Sequence, residues 1–118
     1  MKIILHCMKK SEWDKLKNEK LLNLLSPQGF IHCSTPDNFV YVAPNFKKLK
    51  DDLVLLCIDE GKVKAEVKYE EFESSGHFYP HIYGCLNADA IIDVVPFLTD
   101  KLGNWLKNTE LESMVNKI

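Results

Sequence analysis

The chain has no arginine; all 15 of its basic residues are lysines. A planar, two-pronged guanidinium grip on phosphate is therefore excluded, and any phosphate would fall to lysine and backbone N–H groups. No charge sign dominates: 17 acidic residues leave a net charge of −2. That excludes the basic surface of a protein that coats double-stranded nucleic acid. The lysine runs (Lys9-Lys10, Lys15 to Lys20, Lys47 to Lys50) are interspersed with Asp and Glu and read as solvated faces. Neither GxxxxGK[ST] nor GxGxxG occurs, so there is no glycine-rich phosphate loop. No apolar run approaches the ~20 residues of a membrane helix. The N-terminal apolar stretch is only Ile3-Ile4-Leu5, with lysines soon after, so no signal peptide and no membrane association are expected. The four cysteines, Cys7, Cys33, Cys57 and Cys85, contain no CxxC pair. Three lie in apolar, strand-like runs, the setting of buried free thiols, and a reduced, cytoplasmic protein is expected.

What is present is enough for a core. Of 118 residues, 46% are hydrophobic, consistent with one domain over 1–118. KIILHCM (2–8) reads as a strand. Ser11 is placed to cap a helix through about Lys20, with Trp13 and Leu16 on one face. Residues 21–29 read as a connection with apolar anchors, closed by Pro27 and Gly29. GFIHCS (29–34) is a second strand whose period of two puts Phe30, His32 and Ser34 on one face and Ile31 and Cys33 on the other. A helix follows, capped by Ser34 or Thr35, with Phe39, Val42, Ala43 and Phe46 on one stripe and Pro44 ending it early. LVLLCID (53–59) is a buried central strand. VKAEVKYEEFE (63–73) alternates strictly and is expected to hairpin onto that strand. In YPHIYG (79–84), Pro80 argues against an ordinary central strand. Residues 88–98 form a strand ended by Pro96. Residues 109–118 form a terminal helix with Leu111, Met114, Val115 and Ile118 on one stripe. This order favours α+β over a doubly wound sheet.

The chemistry gathers around four histidines. His6 and His32 lie on strands, each followed by a cysteine; in a strand the two neighbours point opposite ways, so neither pair chelates a metal locally, and no metal site is expected. Cys33 points at the expected core, which disfavours it as a nucleophile. His32 and Ser34 share a face at the mouth of a helix, where free N–H groups favour an anion. The stretch could hold a phosphate or a ribose hydroxyl. His81 and Tyr83, two apart, could form a second wall of the same cleft.

GFIHCSTPDNF (29–39), LVLLCID, Tyr69-Glu70 and YPHIYGCLNADAI, preceded by ILH (4–6) and SEWDKL (11–16), resemble the family called domain of unknown function 952 over about residues 2–97. That family is similar in turn to the ADP-ribosyltransferase-like fold, including RNA 2′-phosphotransferases, through ILH, FIHCS and LLCID in the same order. The resemblance implies a bent, mostly antiparallel split sheet with flanking helices, and a cleft that binds NAD or a related nucleotide. The resemblance places His6, His32 and Ser34 in that cleft; joined with the reading of the residues above, His6, His32 and His81 are the expected catalytic residues, with Ser34, Thr35 and Tyr83 binding the cofactor. Two other readings stay open: a non-catalytic module for a small ligand or protein segment, and a purely structural histidine motif.

Overall fold

The computed structural model describes residues 1–46, 49 and 51–115. Lys47, Lys48 and Lys50 of the third lysine run, and Ile118 of the expected terminal stripe, lie outside the described residues. In chain order the elements are β1 (Ile3–Lys9), α1 (Lys10–Leu16), β2 (Leu21–Leu22), β3 (Ile31–His32), α2 (Phe39–Val42), β4 (Leu53–Asp59), β5 (Glu66–Glu71), β6 (Phe78–Tyr83), β7 (Leu86–Asn87), β8 (Ile91–Pro96) and α3 (Thr109–Val115). Short 3-10 turns occupy Ala43–Phe46, Glu60–Lys62 and Ala88–Ala90. Strand order is β1-β4-β8 in one sheet, β3-β6-β5 in a second, and β2-β7 in a small ribbon. Each of these pairs is antiparallel, and the protein is α+β.

β4 is central, and its near-continuous apolar sequence has a direct cause: both of its faces are covered. Val54, Leu56 and Ile58 face one core with Ile4 and Met8 of β1. Leu55 and Cys57 face a second core with Ile3 and Leu5 of β1, Phe39 of α2, Val95 of β8, and Leu111 and Met114 of α3. The first core also receives Ile31, Cys33 and Ile82. The β3-β6-β5 sheet therefore packs one face onto it and leaves the other to solvent. The two sheets are joined where Ser34 and Leu5 exchange backbone hydrogen bonds of 2.8 and 2.7 Å.

Several elements differ from the sequence expectation. α1 starts one residue before Ser11 and ends at Leu16; the Lys10 N–H is already satisfied by the Asp52 carbonyl, so no side-chain cap is used. Leu21 and Leu22, expected as a connection, pair with β7. β5 pairs with β6 rather than hairpinning onto β4. The Asp59 carboxylate accepts from the Gly61 N–H and winds Glu60–Lys62 into a 3-10 turn, which carries the chain away from its predecessor. Pro44 behaves as expected: α2 passes into the 3-10 turn Ala43–Phe46 after one turn.

Pro80 sits in the middle strand of its sheet, against expectation. The N–H and C=O of a strand residue point to the same side. The Pro80 carbonyl accepts from Cys33 N–H at 3.1 Å, so its missing donor faces β3, not β5. Regular β3 pairing stops at His32, immediately before that position. The proline is tolerated because it lies where the partner strand leaves the ladder.

Candidate functional site

The solvent face of β3-β6-β5 follows from its register. His32 lies directly opposite His81, and Lys68 opposite His81 on the other side. Alternation then puts Tyr83 and Glu70 on the same face. The imidazoles of His32 and His81 are 5.5 Å apart, edge to face. Phe30, contributed by the segment before β3, stacks on His81 at 4.0 Å and also contacts His32 at 4.6 Å and Tyr83 at 5.3 Å. Gly29 makes this approach possible. It closes the Ser26–Gly29 turn with φ +92°, which favours glycine, and the Ser26 hydroxyl donates to the Phe30 carbonyl at 2.7 Å.

One carboxylate oxygen organises the face. Glu70 Oε1 accepts from His81 Nδ1 at 2.9 Å and from the Tyr83 hydroxyl at 2.5 Å. A carboxylate only accepts, so His81 Nδ1 carries the proton and neutral His81 keeps its lone pair on Nε2. The Tyr83 hydroxyl, and then His81, hold the Glu70 carboxyl below its usual range. The same bond pushes the Tyr83 phenol up. Burial, and the positive charge that His81 carries whenever it is protonated, push His32 down, favouring its neutral form. Lys68 places its ammonium 4.9 Å from the Tyr83 ring centre. The arrangement supplies a neutral imidazole, an oriented imidazole with a free acceptor, a phenol, an ammonium and two aromatic faces. Imidazoles beside a carboxylate and a phenol are groups able to take part in acid–base chemistry.

The structure brings together His32, His81 and Tyr83 of the residues singled out from sequence. It separates the other three. Ser34 is 2% exposed at the strand crossing, and its hydroxyl donates to the Thr35 carbonyl at 2.9 Å. Thr35 Oγ1 accepts from Asn38 N–H at 3.2 Å and braces the turn before α2. His6 is half-buried on the β1 face that carries Ile4 and Met8, and it reaches β3 through main chain: its Nδ1 donates to the His32 carbonyl at 2.6 Å. The alternation of Ile31, His32 and Cys33 is as the period of two predicts, with Ile31 and Cys33 buried and His32 exposed. Burial pushes the Cys33 thiol up, and it raises Cys7 to about 12, so neither is a thiolate near neutral pH.

From sequence, Glu70 was readable as a salt-bridged strand glutamate, as its pairing with His81 bears out, but its partners were not, and Lys68 had no role. The signal was the even-numbered alternation of β5, which becomes informative only once β5 is paired with β6.

This arrangement of antiparallel sheets occurs in solved structures. The crystal structure of protein CC0527 from Caulobacter crescentus superposes with a TM-score of 0.78 at 23% identity, covering 93% of this chain and 98% of that one. The solution structure of the same protein gives 0.71 at 24% identity, covering 88% and 91%. The model of the family described as "Protein of unknown function (DUF952)" matches residues 7–94, and the chain belongs to that family. No curated protein matches the sequence.

Proposed function

We propose that the solvent face of β3-β6-β5 binds a nucleotide or phosphorylated ribose and exchanges protons with it. The observation that carries this reading is the double use of Glu70 Oε1, which fixes both His81 and Tyr83 beside His32. A strand glutamate serving only solubility would need neither partner. In this reading His81 Nε2 accepts a proton from a sugar hydroxyl, neutral His32 works as its acid–base partner, and Lys68 faces the phosphate. Phe30 and Tyr83 supply the apolar surface for a planar base. Ser34 and Thr35 hold the corner between β3 and α2, and His6 fixes the β3 backbone from behind. Two antiparallel sheets closed around one core support the likeness to the ADP-ribosyltransferase-like fold, and with it NAD or ADP-ribose as ligands to be tried.

A second reading is a non-catalytic binding module with structural histidines. It is favoured by the Phe30 ring stacked on His81, whose side chain is only 16% exposed. Thermal unfolding with saturating 5′-AMP, ADP-ribose or NAD separates the readings. A ligand at about 100 times its Kd stabilises by about 2.7 kcal/mol. The proposal expects such a rise for at least one of the three, lost in His81→Ala and in Tyr83→Phe. No rise with any of them refutes the nucleotide reading, and a rise that survives both substitutions refutes the site.

A further inference from the structure

His6 lies off the solvent face of β3-β6-β5, bonded to it through the His32 carbonyl. A cleft of about 340 Å³ opens between β1, α1 and residues 23–25. His6 lines it, whereas His32, His81 and Tyr83 do not. Its volume is at the lower end of the roughly 300–1,000 Å³ typical of small-molecule sites. Met8, Leu16, Leu24 and Leu25 supply an apolar wall. The turn that carries two of these is fixed by Asn23 Oδ1, which accepts from Leu25 N–H at 3.2 Å.

Four residues along the cleft are polar; Asn23 is used within its own segment, and the pairing of the other three, His6, Glu12 and Lys15, is informative. The His32 carbonyl can only accept, so His6 Nδ1 is the donor and Nε2 keeps a lone pair. Burial lowers the His6 pKa and keeps that lone pair free near neutral pH. Glu12 and Lys15 are three residues apart on α1 and both line the cleft. Their neighbours Lys10 and Lys17 both pair with Asp14, at 2.8 and 3.6 Å. Glu12 and Lys15 form no ion pair with each other or with another described residue. The lining of the cleft thus includes an acceptor, a carboxylate and an ammonium beside apolar side chains.

We propose that this cleft binds a free α-amino acid with an aliphatic or thioether side chain. Its ammonium would donate to His6 Nε2 and Glu12, its carboxylate would meet Lys15, and its side chain would lie on the leucines and Met8. A singly charged ligand satisfies only one of the two unpaired side chains; a zwitterion satisfies both.

The test is a methyl NMR titration of the full chain with L-leucine and L-methionine. Two truncated probes accompany it: leucinamide, which lacks the carboxylate, and 4-methylpentanoate, which lacks the ammonium. Saturable shifts are expected at Met8, Leu16, Leu24 and Leu25. Each truncated probe should bind about tenfold more weakly, as L-leucine should to Glu12→Gln and to Lys15→Met, about 1.4 kcal/mol in each case. Both substitutions are at exposed helix positions, so folding should be retained, and methyl signals of the buried Ile31, Leu55 and Ile82 that match those of the parent chain check it. Absence of saturable shifts with both amino acids overturns the proposal. Equal binding of 4-methylpentanoate and L-leucine also overturns it, because the ammonium would then have no partner.

Discussion

The two faces of the β3-β6-β5 sheet are built from the same three strands, whose side chains alternate between them, and do different work. On one face Ile31 and Ile82 are fully buried against Ile4, Leu56 and Ile58. On the other, His32, His81, Tyr83 and Glu70 bond to one another or pack through their rings, and stay in reach of solvent. The first face is held by removal of apolar area from water. The second is held by charge-assisted bonds that water competes with, so it adds little to stability. A surface that contributes little to folding yet is ordered in detail is where a ligand can bind without dismantling the protein. Substitutions on the two faces should therefore separate stability from binding.

The largest effect is expected on the buried face. Ile82→Ala removes a fully enclosed side chain and should cost about 2–5 kcal/mol in urea unfolding. A cost below about 1 kcal/mol would mean that the sheet is not anchored through this strand. Gly84 comes next, at the end of β6. A Cβ there would come within 2.9 Å of the Ala65 Cβ, which has no rotamer to move. Gly84→Ala should cost about 1–3 kcal/mol by overpacking, read as a lower urea midpoint; an unchanged midpoint would disprove the close approach.

A pH titration sharpens the comparison further. The pKa of His6 and of His32 is lower in the folded chain than the ordinary value of 6.5. The unfolded chain thus binds protons first as pH falls, so stability should be full above 6.5 and decline below it. The lowered Glu70 pKa acts in the same direction at more acidic pH, below the ordinary carboxyl value of 4.5. Melting temperatures between pH 7.5 and 5.5 should fall, and the fall should be shallower in His6→Gln. An increase in melting temperature on acidification would contradict the assignment. The smallest effect on folding is expected from Tyr83→Phe, which keeps the ring on Phe30 and removes one surface bond. Its urea midpoint should match that of the parent while nucleotide-induced stabilisation is lost.

How far the sequence reveals this division depends on the range of the interactions. The buried face was legible because it is local: Ile31 and Cys33 alternate with His32, and β4 is apolar throughout since it faces two cores. Phe39, Val42, Ala43 and Phe46 fell on one packed stripe for the same reason. The polar face was only half legible. His81 and Tyr83 were visible as a spaced pair, but Glu70 joins them across strands, and strand partnership is not encoded in a period of two. Pro80 misled because the rule against proline in a central strand concerns the side on which the missing donor points, which only the pairing fixes. Ser34 misled differently. Its face followed the alternation, but the β1 crossing at Leu5 covers it.

The proposed role of the His32–His81 face, ordered by Glu70, is to bind a phosphorylated ribose. It is tested most directly by following the imidazole nitrogen signals of all four histidines by NMR while 5′-AMP is added. Saturable shifts are expected at His32 and His81, with the His81 shift abolished in Glu70→Gln. Shifts confined to His6 or His77, or no saturable shift at any histidine, would contradict it.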